Sequence, residues 1–485
     1  MVVEELDTGS AADLVEENED LAKRLGGPVT SQAWRYSFFT KRFSSRRALA
    51  SVSNEHFLGY TIIKKDTDSS GALSTCVYES VLIPSRHANN FVRGSQMWTC
   101  RVGERSFTIN GYLYAQQNGK TNCCAHVACR TAAARYHPDG DMTYREMNSL
   151  PEIGIDHVTT IADDGLSSEK MVAVLKAAGA QCFVAKYTKV SPDLTPPPFQ
   201  KWLYGSIESG YPAILFFETS AHDFHTIPVF GHTFNQDMWV ANAELSYFRV
   251  GAGTVYVPSE QWLSTFLAHD DNWGSNYCIP RHFLYANPIC DRLRGKPRAC
   301  EKQPNCVAYV IATFPQDVKV NSIAAEVIGA DYLFRLLPQL PELNLVWGRR
   351  LQSYANQNLL VLRPILIDAR RYADHLALLA DWQGGSVQRE VITLLREMQG
   401  LGNIWMVELS VPELFAINRR KLGEVLILAD IFPSAERDFR NYLLARVPGY
   451  FGFCVGGDAT SPEFLFQPSG IRGHVALFGC EDETA

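Results

Sequence analysis

A chain of 485 residues is too long for one ordinary domain, and its 46% hydrophobic and 20% charged residues match a globular protein with a sizeable core. A formal net charge of −7 and a pI near 6.0, with no long run of Lys or Arg, argue against nucleic acid as the main partner. No apolar run reaches the ~20 residues that cross a bilayer, so no membrane partner is expected.

The first 29 residues are acidic and lack the apolar segment of a secretory signal. Their composition predicts a weakly helical or poorly ordered tail and a cytoplasmic protein. Residues 30–110 carry apolar, β-prone runs at 57–64, 76–83, 96–102 and 105–109, separated by turns rich in Asp, Ser and Gly. They predict a small β-rich N-terminal module. The basic cluster TKRFSSRR at residues 40–47 reads as a solvated turn.

The segment GYLYAQQNGKTNCCAHVACRTAAARY, residues 111–136, carries the first chemistry. Gln116 and Gln117 precede a polar turn, and Cys123 and Cys124 open an Ala-rich segment that reads as a helix over 122–135. A cysteine at a helix start sits where backbone N–H groups and the dipole favour a thiolate. A glutamine six or seven residues upstream is a candidate oxyanion donor. Helices over 143–149 and 167–178 and a strand over 180–187 follow, then a proline stretch at 193–199 that reads as a rigid loop.

A buried strand is expected over 211–218 and another over 225–231, beginning at His225. A histidine held at the start of a stiff strand suits a general base near neutral pH. His232 is a rival, but it follows Gly231 instead of opening the strand. Further strands are expected over 238–242 and 262–268. After the second comes His269-Asp270-Asp271-Asn272-Trp273-Gly274, where a carboxylate could fix the imidazole tautomer.

The order Cys, His, Asp resembles the papain-like cysteine peptidase superfamily, most closely the bacterial papain-like peptidases of the bacteriocin-processing type. HTIPVFGHT (225–233) resembles the superfamily's His strand, and DNWG (271–274) its Asn-Ser-Trp-Gly segment. GLSSEKMVAVLKAAGAQ (165–181) resembles the bacterial group's Ser-capped middle helix. The resemblance covers residues 111–290. It implies an α+β fold in which a helical lobe precedes an antiparallel sheet lobe, with the active site in the cleft between them. It implies Cys124 as nucleophile, His225 as base, Asp271 or Asp270 as the group that orients it, and Gln117 as oxyanion donor. Cys123 stays open as the nucleophile, because Gln117 lies six residues ahead of it, the family's usual spacing. Cys124 fits the Thr-x-x-Cys turn and the small residue that follows, Ala125. Exporter peptidases place an Asp soon after the His strand, so the longer gap to Asp270 implies an insertion.

A boundary is expected across residues 290–304, which are charged and contain proline. Residues 291–485 read as an α+β module of unknown function. Its expected strands are 307–314, 359–367, 404–409, 450–454 and 475–480, and its expected helices 323–337, 372–379, 386–398 and 435–445. Gly456-Gly457-Asp458 reads as a turn, and no phosphate-binding glycine pattern occurs. The twelve cysteines are dispersed, as thiols are, and Cys278, Cys290, Cys300 and Cys306 lack the close pairs of a zinc site. No metal and no cofactor are therefore expected.

The function these readings predict is a cysteine peptidase that hydrolyses a peptide or isopeptide bond in a peptide or protein substrate. The same apparatus serves acyltransferases and transglutaminases, where an amine replaces water. A catalytically silent scaffold that binds a partner through its C-terminal module is the alternative from a different class.

Overall fold

The computed structural model describes residues 1–9, 11–84, 90–94, 96–118, 123–153, 165–187, 196–219, 224–234, 244–245, 255–286, 306–343, 345–372, 398, 400–418, 420–431, 442–447, 450–458 and 461–467. The chain is mixed α+β with several antiparallel sheets. It forms two compact units, the first built from Met1–Leu194, Gly210–His232 and Thr265–Pro315, the second from Thr195–Ser209, Thr233–Ser264 and Gln316–Ala485. Among the described residues no helix is long and apolar enough to cross a membrane.

The first unit opens with a five-stranded antiparallel sheet in the order Val2–Leu6, Thr30–Phe39, Phe57–Thr67, Leu73–Leu82, Leu113–Tyr114. The acidic tail expected over residues 1–29 is instead part of this layer. Val2–Leu6 pairs with Thr30–Phe39, and Ala12–Leu25 is a helix that ends at Gly26, in the left-handed region at φ 67°. Leu14 and Leu21, two turns apart on one face, are buried. The acidic face has specific cations: Glu17 pairs with buried Lys64 at 2.7 Å, and Glu19 and Asp20 pair with Arg145 at 3.0 and 3.1 Å. Composition alone misread this segment, because its charges serve tertiary contacts. The hairpin Gln96–Val102 with Arg105–Gly111 follows, and its Phe107 and Ile109 join the core of this sheet.

Three helices come next: Cys124–Ala133, Tyr144–Ser149 and Ser168–Ala177. The second opens on a Thr143/Glu146 capping box and the third on a Ser167 cap. Ala125, Cys129 and Ala132 of the first pack against Met147, Met171, Val174 and Leu175. These helices share a core with Ile214 and Ile311 of the second sheet. That sheet runs Gly274–Pro280, Leu263–Asp270, Phe224–Phe234, Ala213–Glu218, Cys306–Pro315, and Ala180–Lys186 also pairs with Cys306–Pro315. Cys306–Pro315 was expected to open a separate C-terminal module. It is an internal strand of the first unit, buried along nearly its whole length, as its unbroken apolar run CVAYVIATF allows.

The second unit has its own eight-stranded sheet: Glu244–Leu245, Val255–Pro258, Val361–Asp368, Asn403–Ser410, Gly423–Leu428, Tyr442–Val447, Tyr450–Asp458, Ser461–Gln467. Val255–Pro258 and Val361–Asp368 are parallel; the remaining pairs are antiparallel. Ser322–Leu336, close to its expected bounds, is a helix with an Asn321 cap. A helix at Phe199–Glu208 directly follows the proline stretch. The helix expected over 435–445 is corrected in part: Tyr442–Val447 is a strand. Gly456-Gly457-Asp458 is not a turn but the end of the strand Tyr450–Asp458. The elements expected over 238–242 and 475–480, nearly all of those over 372–379 and 386–398, and the boundary at 290–304 with Cys290 and Cys300 lie outside the described residues.

Four charged residues stand in register on four adjacent strands of this sheet: Arg363, Glu408, Glu424 and Arg446. All are buried. Glu208 and Glu408 pair with Arg363, Glu424 pairs with Arg446 at 2.6 Å, and Lys421 lies 3.4 Å from Glu408 and 3.2 Å from Glu424. Three cations thus balance three anions inside an otherwise apolar layer.

Candidate active site

Cys124 is the first residue of the helix Cys124–Ala133, and Cys123 occupies the cap position without a side-chain cap bond. Residues 125–133 are all buried, so the small Ala-rich faces fix this helix tightly and with it the direction of both thiols. Successive helical side chains point about 100° apart, and the two cysteines go to different neighbours. The Cys124 thiol lies within hydrogen-bonding reach of His225, and its charge is felt at the Tyr309 hydroxyl. Cys123 lies near Tyr144 and Cys76 and lines a separate pocket. The sequence left the two cysteines open; Cys124 is the one that reaches the histidine.

His225 is the second residue of the strand Phe224–Phe234, an internal strand of the sheet. It pairs in register with Phe217, whose ring meets the imidazole edge-on at 5.6 Å. His225 Nε2 is 3.3 Å from Asp270 Oδ1 and 3.4 Å from Asp271 Oδ1. It is not well aligned with either oxygen, so these contacts are ion pairs more than directed hydrogen bonds. With Nε2 turned to the carboxylates, Nδ1 is the nitrogen left for the thiol. The rival His232 is fully buried and stacks on Phe91 at 4.9 Å, apart from this group. His269 is also structural: its Nδ1 accepts from the Asn276 N–H, and burial lowers its pKa to about 4.

Asp270 ends the strand Leu263–Asp270, and Asp271 begins the turn to Gly274–Pro280. Asp270 Oδ1 accepts from the N–H groups of Asn272 and Trp273 at 2.9 and 3.1 Å. The Tyr114 hydroxyl donates to the Asp270 carbonyl at 3.4 Å. The Gln117 side chain lies beside the Asp271 carboxylate. Gln116 is an anchor. Its N–H donates to Val77 O, and its Oε1 accepts from Val77 N–H at 2.9 Å, which pins the chain one residue before Gln117.

Burial alone would lower the His225 pKa. Pairing with Asp270 and Cys124 and the charges of Asp271 and Asp270 outweigh it and raise the pKa to about 10. Burial pushes both carboxylates up. At Asp270 the His225 contact and two N–H donors overcome this, and its pKa falls below the usual range. At Asp271 burial prevails and its pKa rises. One imidazolium thus sits between a thiol and a carboxylate that stays ionised, with a second carboxylate that holds its proton more readily. His225, Asp270 and Asp271 each offer a ligand atom within 4.8 Å of the others, a nitrogen and oxygen donor set that suits an ion such as Zn²⁺.

The structure therefore gathers Cys124, His225, Asp270, Asp271 and Gln117. Tyr309 and Tyr114 were not foreseen. Tyr114 stands two residues before the glutamine pair, within the aromatic run GYLY. Tyr309 lies beyond the boundary the sequence predicted, so nothing local pointed to it. No protein-family model, no curated protein and no solved structure matches this chain.

Proposed function

We propose that this chain is a cysteine peptidase of the papain-like type, acting on a peptide or isopeptide bond. One observation carries the reading: a thiol at a helix start, Cys124, within reach of a histidine held as imidazolium by Asp270. The arrangement of helices before an antiparallel sheet, with His225 on an internal strand and Asp270 at the end of its neighbour, supports the papain-like assignment.

In this mechanism the Cys124 thiolate adds to the substrate carbonyl carbon and the carbonyl oxygen becomes an oxyanion. The Cys124 N–H and the Gln117 amide donate to it, an effect typically of about 3 kcal/mol per donor. His225 gives its proton to the departing amine as the C–N bond breaks, leaving a thioester. Neutral His225 then takes a proton from water, whose oxygen adds to the thioester carbonyl. Collapse releases the acid, and the sulfur leaves as the thiolate beside a reprotonated His225. An amine in place of water would make the same site an acyltransferase.

The test is alkylation by iodoacetamide at mildly acidic pH, read by peptide mass spectrometry, where ordinary thiols are protonated and slow. The expected result is fast labelling of Cys124 that is lost in His225→Ala. Equal, slow labelling of all cysteines in both proteins would overturn the proposal.

A further inference from the structure

A pocket with about 680 Å³ of empty space, its open mouth included, lies on the Cys123 side of the cysteine pair. Asn118 and Cys123, chain neighbours of Gln117 and Cys124, are among its lining residues, so the pocket adjoins the candidate nucleophile.

Its chemistry is selective. Asp13, Glu16, Glu17 and Asp20 of the N-terminal helix line it. Three arginines also line it, but two are committed: Arg130 to Asp141 and Glu79, and Arg145 to Glu19 and Asp20. Glu17 pairs with Lys64, and Glu16 and Asp20 with Arg145, but each of these cations is shared by more than one carboxylate, so the wall stays acidic. The rings of Tyr78 and Tyr144 both face Arg130, at 5.2 and 5.4 Å from its guanidinium carbon, and hold that wall rigid.

His126 supplies an independent sign of a ligand. The residue is 6% exposed, and its Nε2 lies 3.0 Å from Asn148 Oδ1, which makes Nε2 the N–H donor. Nδ1 is then an acceptor, buried and without a hydrogen-bond partner among the described residues. Burial lowers the His126 pKa to about 4, so the ring stays neutral and Nδ1 keeps its lone pair. Buried acceptors are rarely left unpaired. A donor-bearing cation suits a wall that holds a neutral acceptor and more carboxylates than cations, whereas an anion does not.

We propose that this pocket receives a basic side chain, lysine or arginine, of the peptide whose bond Cys124 attacks. The substrate part of the proposal rests on the peptidase reading; the pocket's preference for a cation does not.

Cys123 reports on the pocket directly. In the full chain carrying Cys124→Ser, Cys123 is labelled with aminoethyl methanethiosulfonate, a cation, and with sulfonatoethyl methanethiosulfonate, an anion. Each rate is divided by that of a small thiol in solution. The expected result is a cation-to-anion ratio of roughly 10 or more, the scale of local electrostatic enrichment. The ratio should collapse towards one when Asp13→Asn and Glu16→Gln are added. A ratio near or below one in the parent chain, or a ratio unmoved by those substitutions, overturns the pocket. A second measurement tests the substrate. In the chain with Cys124 intact, peptidyl chloromethyl ketones carrying Lys or its uncharged analogue norleucine, at either of the last two positions, compete for Cys124. Faster labelling by one Lys probe, lost with Asp13→Asn and Glu16→Gln, supports the assignment. Equal rates at both positions overturn it, while His225-dependent labelling by iodoacetamide still leaves the peptidase reading standing.

Discussion

At the scale of single residues the site is defined by what surrounds His225. Its pKa is raised from 6.5 to about 10 by Asp270, Cys124 and Asp271, against the effect of burial. The imidazolium therefore stabilises the folded state fully below pH 6.5, and that contribution is lost as pH rises through about 10. Removing a carboxylate removes part of what holds the proton. Asp270→Asn is expected to move the His225 titration down, and Asp271→Asn to move it down less, because Asp270 both pairs with the ring and adds its charge. Imidazole resonances followed by NMR against pH check this. An unmoved titration in Asp270→Asn would mean the carboxylate does not hold the proton. The two cysteines separate as cleanly: Cys124→Ser is expected to abolish turnover with little change in thermal midpoint, and Cys123→Ser to leave turnover within about an order of magnitude. The reverse pattern in an assay of the two variants would assign the nucleophile to Cys123. The sequence left Asp270 and Asp271 as alternatives, and both come within 3.4 Å of Nε2. Side chains alternate along a strand, but Asp270 is the strand's last residue and Asp271 already belongs to the turn, so alternation ends between them.

At the scale of elements, the sequence revealed what is set locally. The Cys helix, the Ser167-capped helix and the His strand follow from caps, apolar runs and turn residues, and each lies close to its expected bounds. The N-terminal helix was hidden, because its Leu14 and Leu21 are outnumbered by carboxylates whose partners, Lys64 and Arg145, lie far along the chain. The strand Cys306–Pro315 was recognised as a strand but assigned to the wrong unit. Sheet membership is decided by distant partners, Ala213–Glu218 at 88 to 99 residues and Ala180–Lys186 at 123 to 135. The charged ladder of the second sheet was equally invisible, since four charges in register on adjacent strands leave no local pattern. It carries a stability prediction. Glu424 accepts from Arg446 and Tyr372 and lies 3.2 Å from Lys421, with no exposure of its own. Glu424→Gln leaves two buried cations short of one anion, and breaking a buried pair in this way costs about 3–5 kcal/mol. A shift of that size in the urea unfolding curve is expected. A shift below about 1 kcal/mol would mean that water reaches the ladder.

At the scale of the whole molecule, the chain alternates between its two units in six segments, so it crosses from one to the other five times. Neither unit is a continuous stretch of sequence, and this governs how the protein can be cut. A chain ending at residue 290 lacks Cys306–Pro315, and Ala213–Glu218 and Ala180–Lys186 then lose their shared partner. Val310 and Ile311, both fully buried, leave the sheet, and Tyr309 leaves its place near Cys124. A chain ending at residue 315 keeps every segment of the first unit but leaves the helix Phe199–Glu208 without its own core. Lys201 would lose Glu326, to which it donates at 2.6 and 2.8 Å, and Glu208 would lose Arg363. Both are buried; Lys201 keeps Glu260 at 3.2 Å, but removing one partner of a buried pair still destabilises by several kcal/mol. Both truncations are therefore expected to lose native near-UV circular dichroism and the selective labelling of Cys124. If the chain ending at residue 290 folded and labelled Cys124 at the rate of the full protein, the strand Cys306–Pro315 would be dispensable, and the domain would end where the sequence first placed its boundary. If only the longer chain did so, the first unit would fold alone, and the charges of Lys201 and Glu208 would have found water.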